Sequence, residues 1–152
     1  MNKKNILVIL VLLLGGIIGI SSTSSKECID LYVDYGVLEK STFEKCVSTT
    51  TDMKATDILK SNNFTLQGTE KYGDNVLCRL NGLPTAKDET CKDMPSENAY
   101  WAILEKKKQL VNIPFMENGY TWAQVGIGEL TLSPGDSLAL VFASNGNVKF
   151  PD

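Results

Sequence analysis

Histidine is absent from this chain, and that one absence removes much chemistry. Ser-His-Asp and Cys-His catalysis, His-containing zinc sites and histidine pH switching all need an imidazole. Basic charge is also scarce: 15 Lys and Arg stand against 18 Asp and Glu, a net charge of -3. Lys3 and Lys4 lie in the leading segment, so the remainder is more acidic still. Binding nucleic acid needs a basic face to neutralise phosphate, so no nucleic-acid partner is expected. No two cysteines are spaced as C-x-x-C, which argues against a four-cysteine zinc site. Gly126-Ile127-Gly128 lacks the third glycine and the strand–helix setting of a dinucleotide fingerprint. At 152 residues the chain is too short for two full-sized domains.

What is present begins with a targeting pattern over residues 1–25. Lys3 and Lys4 form a basic start, Ile6 to Ile20 is apolar, and a Ser/Thr run from Ser21 to Ser25 follows. The apolar run is short for a spanning helix of ~20 residues, and Gly15, Gly16 and Gly19 weaken it as a helix. A cleaved signal peptide is the first reading and an uncleaved N-terminal anchor the second. Both place the rest of the chain outside the cytoplasm, touching a membrane only through this segment. The four cysteines, Cys28, Cys46, Cys78 and Cys91, all lie in the exported part, so disulfides are expected. Four cysteines allow three connectivities, and sequence alone does not choose among them. The local pairing, Cys28–Cys46 with Cys78–Cys91, has a geometric case: each bridge closes a short loop between neighbouring strands and stabilises by roughly 2–4 kcal/mol.

The stretch from Val76 to Leu104 organises the middle of the chain. It reads as a strand, a turn at Asn81-Gly82-Leu83-Pro84, a polar excursion to Cys91, and a strand opening Ala99-Tyr100-Trp101-Ala102. Upstream, Ile29 to Tyr35 alternates, and Thr42 to Thr49 returns beside it as an edge hairpin. Lys54 to Asn62 is the one helix, capped by Thr51 or Asp52, with Ala55, Ile58 and Leu59 on one face. Asn63 suits a left-handed C-terminal cap, with Phe64 folding back. Phe64 to Glu70 reads as a strand, Glu105 to Lys108 as a solvated hairpin end, and Leu110 to Ile113 as a weak continuation of the sheet. Ser133-Pro134-Gly135-Asp136 has the residues of a type II turn, leading into the apolar Ser137 to Phe142, expected to be central. Residues from Ser144 onward read as a frayed tail. One helix between a hairpin and a later set of strands predicts an α+β fold, a mixed sheet with a short helix on one face, in a β-grasp-like arrangement.

Asp34-Tyr35-Gly36, Ala55-Thr56-Asp57-Ile58-Leu59, Gly68-Thr69, Cys78-Arg79-Leu80-Asn81-Gly82, Cys91, Ala99-Tyr100-Trp101, Trp122 and Ser133-Pro134-Gly135-Asp136 occur in that order. Together they resemble the DUF4430 family, the transcobalamin-like C-terminal domain, over about Ile29 to Phe142. The chain departs from that family at Asn62-Asn63, where glycine is common, and has no room for the helical domain of the cobalamin carriers. Residues 26–143 are then the domain and 144–152 a short tail. The resemblance implies an extracytoplasmic β-grasp-like module without a catalytic role. Cobalamin or another small molecule is the implied ligand, with a partner protein completing the site.

From the residues themselves, Tyr100, Trp101, Tyr120 and Trp122 are the candidate ligand-binding side chains, since aromatic rings offer apolar faces with polar edges. Tyr100 and Trp101 are consecutive in a strand, so they face opposite sides and at least one lies off the main core. The competing reading makes the tryptophans core residues. An enzyme using the paired carboxylates Asp30 and Asp34, or Glu97, is a further alternative, as is a surface-held structural or adhesion element.

Overall fold

The computed structural model describes residues 28–38, 40–108 and 119–151. It is an α+β fold of mixed sheets with one helix. Residues 1–25, expected as the targeting segment, and Leu110 to Ile113, expected as a weak strand, lie outside the described residues.

The main sheet joins β1 (Cys28–Asp34), β2 (Phe43–Ser48), β6 (Ala99–Lys106), β7 (Thr121–Trp122) and β9 (Ser137–Ser144) in the order β2-β1-β9-β6-β7. First and last strands run parallel, pairing Asp30 with Ser137 and Val33 with Leu140. The other neighbours are antiparallel. β9 is central, as its composition demands: Leu138, Leu140 and Phe142 face the main core, while Ala139 and Val141 face a second, smaller cluster. A strand covered on both faces reads as a continuous apolar run rather than an alternation.

The helix α1 (Ala55–Ser61) lays Ala55, Ile58 and Leu59 into the main core with Ile29, Leu31 and Val33 of β1. A seven-residue helix cannot stand alone and depends on that packing. Its N-terminus differs from the expected Thr51 or Asp52 cap. Lys54 is the cap residue, extended, with no side-chain cap bond. The reason is tertiary: β3 (Met53–Lys54) pairs with β8 (Thr131–Leu132), and the Ala55 amide donates to the Leu130 carbonyl at 2.9 Å. The helix therefore starts straight from a strand. The C-terminus is a Schellman cap: Asn63 has φ 64, its amide bonds the Lys60 carbonyl, and the Phe64 amide reaches back to Leu59.

β4 (Leu66–Thr69) and β5 (Gly73–Leu80) form a separate hairpin. The excursion after β5 is tied down by Cys78–Cys91, with Cα atoms 5.7 Å apart, and by Arg79. That guanidinium donates to the carbonyls of Pro84 and Glu89 and to Gln67. Cys28–Cys46 joins β1 to the edge strand β2 at 5.5 Å. Both bridges are the local pairing. Cys28, Asp30 and Cys46 lie close together, but the two sulfurs are bonded to each other and offer no thiolate pair for a metal.

Asp136 closes the lower end of the sheet. Its carboxylate, almost fully buried, accepts from the Lys108 amide at 2.8 Å and the Ser133 amide at 2.9 Å, and Lys107 Nζ stands 3.2 Å away. The Asp136 amide returns to the Ser133 carbonyl across Pro134-Gly135, with Gly135 at φ 97, as a type II turn requires. Lys107 also pairs with Glu105 at 3.0 Å. Partial burial lowers its pKa, but the two carboxylates outweigh that and hold the ammonium above its ordinary value.

Candidate functional site

The strand period separates the two faces of the main sheet. In β6, Trp101 turns toward α1 and the main core, and Tyr100, Ala102 and Leu104 turn away from it. Trp101 is 5% exposed, meets Tyr35 and Phe142 edge-on with centroids 5.3 Å away, and donates from Nε1 to the Leu83 carbonyl. It is a core residue. Tyr100, Tyr120 and Trp122 come together on the other face. Of the four candidate aromatics, the structure unites three and sets Trp101 behind the sheet.

That second face has a floor of Ala102, Leu104, Ala139 and Val141, against which Tyr32, Tyr100, Tyr120 and Val148 pack. Register explains the grouping: Leu104 pairs with both Ala139 and Trp122, and Tyr32 pairs with Ala139. Tyr100 and Trp122 stack with centroids 6.5 Å apart and planes at 29°. Trp122 keeps 44% of its surface exposed and meets Phe150 edge-on at 6.0 Å.

The residues after β9 do not fray. Ser144 to Asn147 make a tight turn with bonds in both directions, Asn145 and Gly146 having positive φ. The chain then returns over the second face, bringing Val148 and Phe150 with it. Asn-Gly is a strong hairpin signal, and alternation of Val148 with Phe150 was the trace of this arm in the sequence.

Beside the aromatics lies an open cavity of about 570 Å³. Asp30 and Tyr32 of β1, Glu44 and Lys45 of β2, Tyr120, Lys149 and Phe150 are among the residues that line it. Burial raises the pKa of the Tyr120 phenol; the nearby carboxylates of Asp30 and Glu44 add to the rise, and a hydrogen bond with Ser137 opposes it. Tyr120 therefore stays a neutral donor through the physiological range. Lys106 Nζ lies 5.9 Å from its ring. The cavity thus joins the rings of Tyr32, Tyr120 and Phe150 to charged groups of both signs, a mixed lining that can orient a polar ligand against an aromatic surface. Of the carboxylates considered for acid–base work, Asp34 accepts from the Gly36 amide at 2.8 Å and fixes the turn after β1, and Glu97 is exposed.

No family model matches the chain, and neither a curated protein nor a solved structure does. The two disulfides fit an oxidising, extracytoplasmic setting. Among the described residues no helix is long and apolar enough to cross a membrane.

Proposed function

We propose that this chain is a non-catalytic extracytoplasmic binding module, with the second face of its five-stranded sheet as the recognition surface. It is secreted or anchored through residues 1–25. The observation that carries this reading is the exposed Trp122, held by Tyr100 on one side and on the other by Phe150, which itself lines the 570 Å³ cavity. A large aromatic left open yet held in place by its neighbours is unlike a scattered surface residue. A β-grasp reading, and with it likeness to the transcobalamin-like C-terminal domain, is supported by the hairpin, the helix and a last strand parallel to the first in the centre of the sheet. Corrinoids are therefore the first ligands to try, followed by polysaccharides and peptides.

The test compares Trp122→Ala and Tyr100→Ala with Trp101→Ala. The first two should leave unfolding nearly unchanged and weaken ligand binding by ~1–3 kcal/mol, as interface anchors do. Trp101→Ala should lose ~3–5 kcal/mol of stability. If all three unfold the domain alike, the second face is a core and the reading fails.

A further inference from the structure

The residues from Val148 to Pro151 are held in an unusual way. Val148 sits on the floor of Ala102, Leu104, Ala139 and Val141, and Phe150 meets Trp122. Lys149 and Phe150 line the same cavity as Asp30, Tyr32, Glu44 and Lys45. Yet among the described residues no backbone hydrogen bond ties residues 148–151 to the sheet; the last such bonds are those of the Ser144–Asn147 turn. A structural strand would be laddered to a neighbour, and an idle tail would not bring two apolar side chains onto the second face. This segment is seated by its side chains alone, and it leaves the adjoining cavity empty of its own atoms.

We propose that the C-terminal arm is an internal stand-in for a partner. The groove takes an extended peptide carrying an aliphatic, a basic and an aromatic residue in succession, and Val148–Phe150 occupies it until such a peptide displaces them. The proposal rests on the second face being the recognition surface and narrows its ligand to a peptide. The chemistry is that of the arm itself: an aliphatic anchor for the alanine-rich floor, a cation at the cavity that Asp30 and Glu44 line with Lys45, and a ring for the edge of Trp122. An incoming peptide regains the anchors lost when the arm leaves and continues into the cavity the arm does not fill. Since the arm is tethered, it competes at a high effective concentration, and the free site appears only when its hold is weakened.

The test uses the folded, oxidised protein and its Val148→Ser/Phe150→Ala double variant, each titrated with a synthetic peptide of residues 147–152. The readout is the indole N–H resonance of Trp122, with that of Trp101, bonded to Leu83, reporting that the core is intact. The variant should show a saturable Trp122 shift at a peptide concentration at least ~10-fold lower than wild type needs. The same peptide with alanine for its phenylalanine should give none. Equal binding to both proteins would overturn the competition, and no Trp122 shift in either would overturn the peptide partner. Concentration-dependent dimerisation of wild type, lost in the variant, would mean that a second copy's arm is the occupant and would likewise overturn it. A corrinoid or polysaccharide that shifts Trp122 where the peptide does not leaves the second face as the recognition surface and removes only the peptide proposal.

Discussion

Replacing Asp136 separates a carboxylate that organises the sheet from one that merely sits beside a lysine. Its two oxygens satisfy the Ser133 and Lys108 amides and neighbour Lys107 Nζ, and its own carbonyl accepts from the Asp30 amide at 3.1 Å. Bonds to a charged acceptor contribute ~1.5–3 kcal/mol each, but Ser133 and Lys108 are exposed enough for water to recover part of the loss. Asp136→Ala, losing both bonds and leaving a small void, should therefore cost ~2–4 kcal/mol. Asp136→Asn keeps the shape and one acceptor oxygen, and should cost about half as much. At ~3–5 °C per kcal/mol for a domain of this size, the alanine variant melts roughly 6–20 °C lower. Urea and thermal unfolding with the disulfides oxidised give both numbers. An asparagine variant as damaging as alanine would mean that charge, not the two directed bonds, is what matters. An alanine variant within ~0.5 kcal/mol of wild type would refute the role entirely.

Peptide mapping without reduction should return Cys28–Cys46 and Cys78–Cys91, and removing either bridge by paired serine substitution should cost ~3 kcal/mol for closed loops with separations of 18 and 13 residues. Gly135→Val should lower the melting temperature clearly, since φ 97 strains any β-branched residue and its Cβ would meet the Lys108 side chain at 2.5 Å; unchanged melting would mean that the turn relaxes freely. Because the Lys107 pKa is raised on folding, its contribution is complete below the ordinary lysine pKa of 10.5 and is lost as pH rises through the folded value. Lys107→Met should therefore flatten part of the fall in stability above pH 10.5 (about 1 kcal/mol or less, given the exposed side chain), and an identical fall in both proteins would exclude the ion pairs as its source.

The elements legible in the sequence were those with a local cause. Alternation marked β1, an unbroken apolar run marked β9, and spacing of three and four marked α1, because each pattern records what that segment buries. The Ser133–Asp136 turn and the Asn63 cap were legible because positive φ restricts the residue type. The helix start was misplaced because its cause is distant: Met53 and Lys54 are held extended by Thr131 and Leu132. Parity showed that Tyr100 and Trp101 part company, but which of them entered the core depends on where α1 lies. The arm was missed for a similar reason, as a few residues carry too little period to outweigh their position near the end of the chain. Tyr32, although visible on the outer face of β1, gained a place in the candidate site only once Ala139 of β9 was known to lie beside it.

The parallel pairing of β1 with β9 also fixes an order of events. Cys28–Cys46 and Cys78–Cys91 close over short stretches of chain, and the loop entropy they must overcome is small. The strand that joins the two halves of the sheet is the last of the described strands, and its contacts with β1 span nearly the whole described chain. Such non-local pairing is the slow part of folding. A chain emerging from its N-terminus can form its first hairpin early, but the main core has no centre until Ser137 to Ser144 arrive. Were the chain exported, as proposed, that delay would be useful: the main sheet could not close while the chain was still being threaded, and the last of its described strands would complete it.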